Sequence, residues 1–239
     1  MGNAQDLKPM TEWPIILTEG GDDRLPLDPK TGTNKYHAKP FVAPNALFRG
    51  SCTCNSPTQL AYDKAKEVYD KFLTGEMTVE QHHHQTRERI KNLYGLEDET
   101  GVFIMPSGSD AEYIPLVISK VLNGYDRPIV NIVTCNEEVG SGTLDASGGK
   151  FFSPIEPIPG YTAHMEGGAG MHDPVLGLAD NVETVAINAR HASGEVVDAK
   201  AQIEEALAQA YAKGATPILH TVYGSKTGIC QDTWSFCDK

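Results

Sequence analysis

Gly101-Val-Phe-Ile-Met105, running into Pro106-Ser-Gly-Ser-Asp-Ala-Glu112, is the stretch on which the fold turns. The apolar run predicts a strand. Beyond Ser109, Ile114, Val117, Ile118, Val121 and Leu122 recur with helical spacing as far as Gly124. Pro115 requires that this helix either kinks there or becomes regular only near it. Strand, small hydroxyl-bearing turn and helix N-terminus, in that order, is how an α/β protein seats a phosphate group. The unpaired amides of a first helical turn point outward with a partial positive charge. Gly108 lets the backbone approach the anion, and Ser107 and Ser109 add hydroxyl donors. The same tetrapeptide, Ser107 to Asp110, is also an ordinary helix cap, and capping is its commoner use.

Outward from that turn the chain alternates between helical and extended patterns. Ala61, Ala65, Val68, Tyr69 and Phe72 predict a helix ending near Gly75. Thr78-Val-Glu-Gln81 is a capping box opening a second, with Ile90, Leu93 and Tyr94, that stops at Gly95. Ile129-Val-Asn-Ile-Val133 is short and continuously apolar, the pattern of a buried parallel strand. Thr184–Asn188 predicts another strand. A helix from Asp198 with Ile203, Ala206, Leu207, Ala210 and Tyr211 inward follows, then strand Pro217–Tyr223 and the turn Gly224–Gly228. Residues 134–182, rich in Gly and Pro, carry no readable period. Strands alternating with helices imply an α/β fold with a largely parallel, doubly wound sheet. Ligands in such sheets lie beyond the carboxyl ends of the strands. Three loops are placed there: Ser107–Asp110, Cys135–Thr143 and Tyr223–Gly228. Residues 1–50 read as an irregular arm and residues 51–239 as one α/β domain.

Composition narrows the partners. The 239 residues are 40% hydrophobic and 22% charged, as in a soluble globular protein, and the net charge of −12 disfavours nucleic acid or an anionic membrane as the main partner. No apolar run is long enough for a membrane span, and Met1–Asp6 lacks a signal-peptide core, so a cytoplasmic location is expected. Five cysteines, Cys52, Cys54, Cys135, Cys230 and Cys237, are an odd number and read as free thiols. No metal is expected. His82-His83-His84 point about 100° apart on a helix. His164, His172 and Asp173 match no ligand spacing. His191, His220 and the Glu137-Glu138 pair are candidates for the strand-end cleft, each with a structural role as the commoner alternative. Cys135 at a strand end has no evident base to activate it.

With this layout the chain resembles the fold-type I pyridoxal-phosphate enzymes, the aminotransferase-like superfamily that includes class V aminotransferases and cysteine desulfurases. Arg87–Tyr94 with Val102–Ala111 is similar to its helix, strand and phosphate-binding turn. Val222-Tyr-Gly-Ser-Lys-Thr-Gly228 resembles its strand-to-turn segment near the cofactor ring, and Ile132–Val139 the loop that covers the ring. The resemblance spans roughly residues 50 to 239. It implies that pyridoxal 5'-phosphate is held through Ser107, Gly108, Ser109 and Asp110, with Glu138 or Val139 over the ring and Ser225 and Thr227 beside it. It further implies an amino acid or amine substrate, transferase or lyase chemistry, and a homodimer. The chain departs from the family in offering no aromatic ring at Asn136–Gly140. It also reaches Lys239 before the segment that holds the family's Schiff-base lysine and its ring-nitrogen aspartate; Lys226, Lys239, Asp232 and Asp238 do not match those positions. The resemblance therefore implies the N-terminal part of such an enzyme, truncated at the C-terminus, inactive by itself and without assignable catalytic residues. The alternative is a non-catalytic α/β module that binds a phosphorylated small molecule or a protein partner.

Overall fold

Thr58 opens the first long helix by accepting a hydrogen bond from the Ala61 amide on its side chain, at 3.2 Å. The computed structural model describes residues 13–18, 25–39, 55–153 and 172–231. Cys52, Cys54, His164, the glycine-rich run 166–170, Asp232, Cys237, Asp238 and Lys239 lie outside the described residues. The chain divides into two compact units, one formed by residues 1–104 with 155–159 and the other by 105–154 with 160–239.

The first unit contains α1 (Trp13–Ile16), α2 (Gln59–Thr74) and α3 (Val79–Tyr94). Both long helices end as their glycines dictate, with Gly75 and Gly95 in the left-handed region. The capping box of α3 is complete: Thr78 Oγ1 accepts from the Gln81 amide at 3.1 Å, and Gln81 Oε1 accepts from the Thr78 amide at 2.9 Å. Trp13 anchors α1 by stacking on Tyr69 of α2, ring centroids 4.9 Å apart. The apolar residues of α3 are less well covered than its period implies, since Leu93 and Tyr94 are exposed. Capping at both ends, with the Lys91–Glu88 pair in its last turns, sustains it instead.

The second unit is built on β1 (Ile129–Val133), β2 (Val182–Ala186) and β3 (Thr216–His220), in the order β2-β1-β3 with both pairings parallel. This bears out the α/β class with a parallel sheet and flanking helices. β1 is central and buried along its whole length, as its unbroken apolar run requires. Val130 and Ile132 pack against Ile203, Ala206 and Ala210 of α7 (Lys200–Ala212) on one face. On the other face the Asn131 amide donates to the Ser147 carbonyl, at 2.8 Å, in α6 (Thr143–Ser147). Asp198 starts α7 by accepting the Lys200 amide at 3.1 Å.

Four elements differ from the sequence expectation, among them β3, which runs Thr216–His220 and stops three residues short of the expected Tyr223. Gly101–Met105 forms no strand. Phe103 and Ile104 are exposed, so the run lacks the neighbour that would turn its apolar residues into a ladder. The helix after the turn is split at Glu112 into α4 (Gly108–Ala111) and α5 (Tyr113–Asn123), which puts Pro115 in a first turn where its missing amide hydrogen removes no helical bond. β2 begins two residues earlier than expected, because an edge strand can carry Glu183 outward, where it pairs with Lys213. α5 faces inward through Leu116 and Lys120; the buried Lys120 ammonium donates to the Asp180 carbonyl at 2.7 Å, tying the helix to the approach to β2.

Candidate functional site

Parallel pairing brings the carboxyl ends of all three strands to one edge, and the chain after each strand contributes to a single hydrogen-bonded cluster there. After β1, a short 3-10 turn, Asn136–Glu138, presents two carboxylates. Glu137 accepts the Ala189 amide, beyond β2, at 2.6 Å. Glu138 reaches the turn after β3: its carboxylate accepts the Thr227 amide at 2.8 Å and the Thr227 hydroxyl at 2.6 Å. Arg190, also beyond β2, lies with Nε 3.5 Å from Glu138 Oε1, while its Nη2 donates to Thr227 Oγ1 at 2.8 Å and its Nη1 to the Gly194 carbonyl at 3.0 Å. Hydrogen bonds from the Ser225 hydroxyl and then from Thr227, with Arg190 adding its charge, hold the Glu138 carboxyl down at about 2. Lys226 donates to the Val139 carbonyl at 3.0 Å. Glu138, Val139, Ser225 and Thr227, separated by almost ninety positions in the chain, thus come together. Glu137 and Glu138 are engaged by different loops, each carboxylate with its own hydrogen-bond partners.

Beside this cluster lies a cleft of about 420 Å³ lined by Glu137, Glu138, Asn188, Arg190 and His191. Arg190 is the member of this cluster that the sequence did not announce. Its signal is positional only: it stands four residues beyond β2, next to His191. Cys135 is buried in a left-handed conformation with φ 49°. Burial, then the charges of Glu138 and Glu137, push its thiol up, the opposite of what a nucleophile needs.

The Ser107 turn is built differently. Ser107 caps α4 by accepting the Asp110 amide on its hydroxyl at 3.1 Å, and the same hydroxyl donates to the Asp110 carboxylate at 2.6 Å. Capping therefore accounts for Ser107 and Asp110. The amides of Gly108 and Ser109 find no acceptor among the described residues, and a side chain added at Gly108 would meet nothing within 4 Å. Ser109 faces the loop after β1, since a methyl group placed on Gly142 would lie 2.9 Å from Ser109 Oγ and 2.8 Å from the Phe152 ring. That loop also contains α6, which the sequence did not announce.

Two histidine pairs flank the turn. His220, the last residue of β3, lies with Nδ1 2.8 Å from the Glu112 carboxylate, at the break between α4 and α5; its Nε2 is buried with no hydrogen-bond partner among the described residues. His172, exposed, pairs with Asp145 of α6 at 2.8 Å. Tyr113 donates to the Lys150 carbonyl at 2.6 Å, and burial, with Asp110 and Asp145 close by, raises its hydroxyl to about 12. No group of three or more metal-ligating side chains occurs among the described residues, and no helix there is long and apolar enough to cross a membrane. Comparison with protein-family models, with curated proteins and with solved structures gave no match to this chain.

Proposed function

We propose that this chain anchors pyridoxal 5'-phosphate as part of a transferase or lyase acting on an amino acid or amine. One observation carries the reading: among the described residues the amides of Gly108 and Ser109 open α4 without an acceptor, and a Cβ added at Gly108 would meet nothing within 4 Å. A phosphate ester fits such donors. Ser107 and Asp110 serve the same site indirectly, because their mutual hydrogen bonds hold the turn in shape. When bound, the cofactor supplies an electron sink for a carbanion formed at the substrate amine carbon. The chain's own contribution is positional. Glu138, fixed as a carboxylate by Ser225, Thr227 and Arg190, closes the strand-end edge, and Lys226 is held on the Val139 carbonyl. A lysine already donating to a backbone carbonyl orders that loop.

A non-catalytic module binding another phosphorylated small molecule would use the same two amides. The distinguishing experiment is calorimetric titration with pyridoxal 5'-phosphate, pyridoxal and inorganic phosphate. Saturable binding of the phosphorylated cofactor, absent for pyridoxal and much weaker for phosphate, is the expected result. Equal binding of pyridoxal with and without its phosphate would remove the role of the turn; equal binding of phosphate alone would favour the module.

A further inference from the structure

We propose that Ser225, Thr227 and Arg190 form a receptor for a small-molecule carboxylate, and that the Glu138 side chain occupies this receptor as an exchangeable internal ligand. The donors converge from loops other than the one bearing Glu138. The Thr227 hydroxyl and the Arg190 guanidinium address Oε1, at 2.6 and 3.5 Å, and the Thr227 amide addresses Oε2 at 2.8 Å. Each carboxylate oxygen thus has its own donor, the arrangement a planar monoanion matches. Arg190 is braced from behind by its bonds to the Gly194 carbonyl and Thr227 Oγ1, so the receptor keeps its shape when the carboxylate leaves. A single guanidinium neutralises one charge, and the adjacent Lys226 ammonium is directed to the Val139 carbonyl; a carboxylate is therefore matched in charge and a phosphate dianion is not.

Entry and exit are also provided for. Glu138 and Arg190 line the open cleft of about 420 Å³ at the strand ends, and Glu138 closes a three-residue turn that follows Cys135, a non-glycine residue held at φ 49°. An internal ligand lowers the apparent affinity for an external one by the fraction of time the receptor is free, so millimolar ligands would report the exchange.

This site is separate from the phosphate turn, and its test needs no cofactor. The full chain, labelled with ¹⁵N, is titrated with propionate at pH 7 against a chloride control of equal ionic strength. Expected are saturable shifts of the Thr227 amide and the Arg190 Nε resonance, binding about tenfold tighter in Glu138→Ala, and loss of both effects in Thr227→Val. Absence of saturable shifts in the unmodified chain overturns the proposal, as does binding confined to Glu138→Ala, which would make Glu138 a permanent clasp. Tighter binding of inorganic phosphate than of propionate at the same donors overturns the carboxylate assignment. If Glu138→Ala fails to fold, the titration of the unmodified chain decides alone.

Discussion

The Ser107 turn and the Glu138 cluster stand at the same end of the second unit's elements but are made in opposite ways. The turn is local: its hydrogen bonds link residues three apart, and its remaining amides are left open. The cluster is non-local: Glu138 bonds to Thr227 across eighty-nine positions, Glu137 to Ala189 across fifty-two, and the donors are already satisfied. An open local turn offers its amides directly to a ligand from solution, whereas the non-local cluster holds three loops to one another through a carboxylate of the chain itself, which an external ligand must displace. Residue types do not separate the two, since both combine Ser or Thr hydroxyls, amides and a carboxylate. What separates them is where the acceptor comes from.

Glycine substitutions break the comparison most forcefully. Gly142→Ala drives a methyl group into Phe152 and Ser109 on the packed side of the turn and is expected to cost about 2 kcal/mol in urea unfolding, within the range for overpacking. Ser107→Ala removes the cap of α4 and is expected to cost about 1 kcal/mol by the same measurement. Gly108→Ala, facing open space, should change stability by less than about 0.5 kcal/mol. If Gly142→Ala proved as mild as Gly108→Ala, the packing of Ser109 against the loop after β1 would be wrong.

At neutral pH the clasp is insensitive to protons, so acid is where it differs from the turn. The Glu138 carboxyl is held at about 2, below its ordinary value of 4.5. Its folded value being depressed, the carboxylate contributes stability that is fully present above pH 4.5 and is lost as pH falls through about 2. Subtracting the unfolding curve of Glu138→Gln from that of the unmodified chain should isolate a loss confined to this window; a difference independent of pH between 4.5 and 2 would contradict the cluster. In alkali the corresponding reporter is Tyr113, which should ionise near 12 in an absorbance titration, with that step missing from Tyr113→Phe.

How far the sequence carried differs between these regions for the same physical reason. The helices α2 and α3 were legible because Ala61, Ala65, Val68, Tyr69 and Phe72 keep a helical period and Thr78, Gly75 and Gly95 mark helix ends by local chemistry. β1 was legible because a fully buried strand must be apolar throughout. Gly101–Met105 misled, because five mostly apolar residues specify no partner, and whether such a run enters a sheet is decided by tertiary contacts. α6 was invisible: Thr143-Leu-Asp-Ala-Ser147 is too short for a period, and the glycines before it suggest a loop. In the candidate site, Ser107 and Asp110 were readable as a cap within one turn. Arg190 was not, because its partners Glu138 and Thr227 lie in loops that only the parallel pairing of β1 with β2 and β3 brings within reach.

Gly108→Val gives the most direct test of the central claim that the opening amides of α4 hold a phosphate ester. The substitution places a branched side chain beside those amides at a position where a Cβ meets nothing within 4 Å. In calorimetric titrations the unmodified chain should bind pyridoxal 5'-phosphate saturably, and Gly108→Val should bind it at least about tenfold more weakly, a loss of about 1.4 kcal/mol, with an unchanged unfolding midpoint. Equal affinity in the two proteins, or no saturable binding in either, would contradict the account.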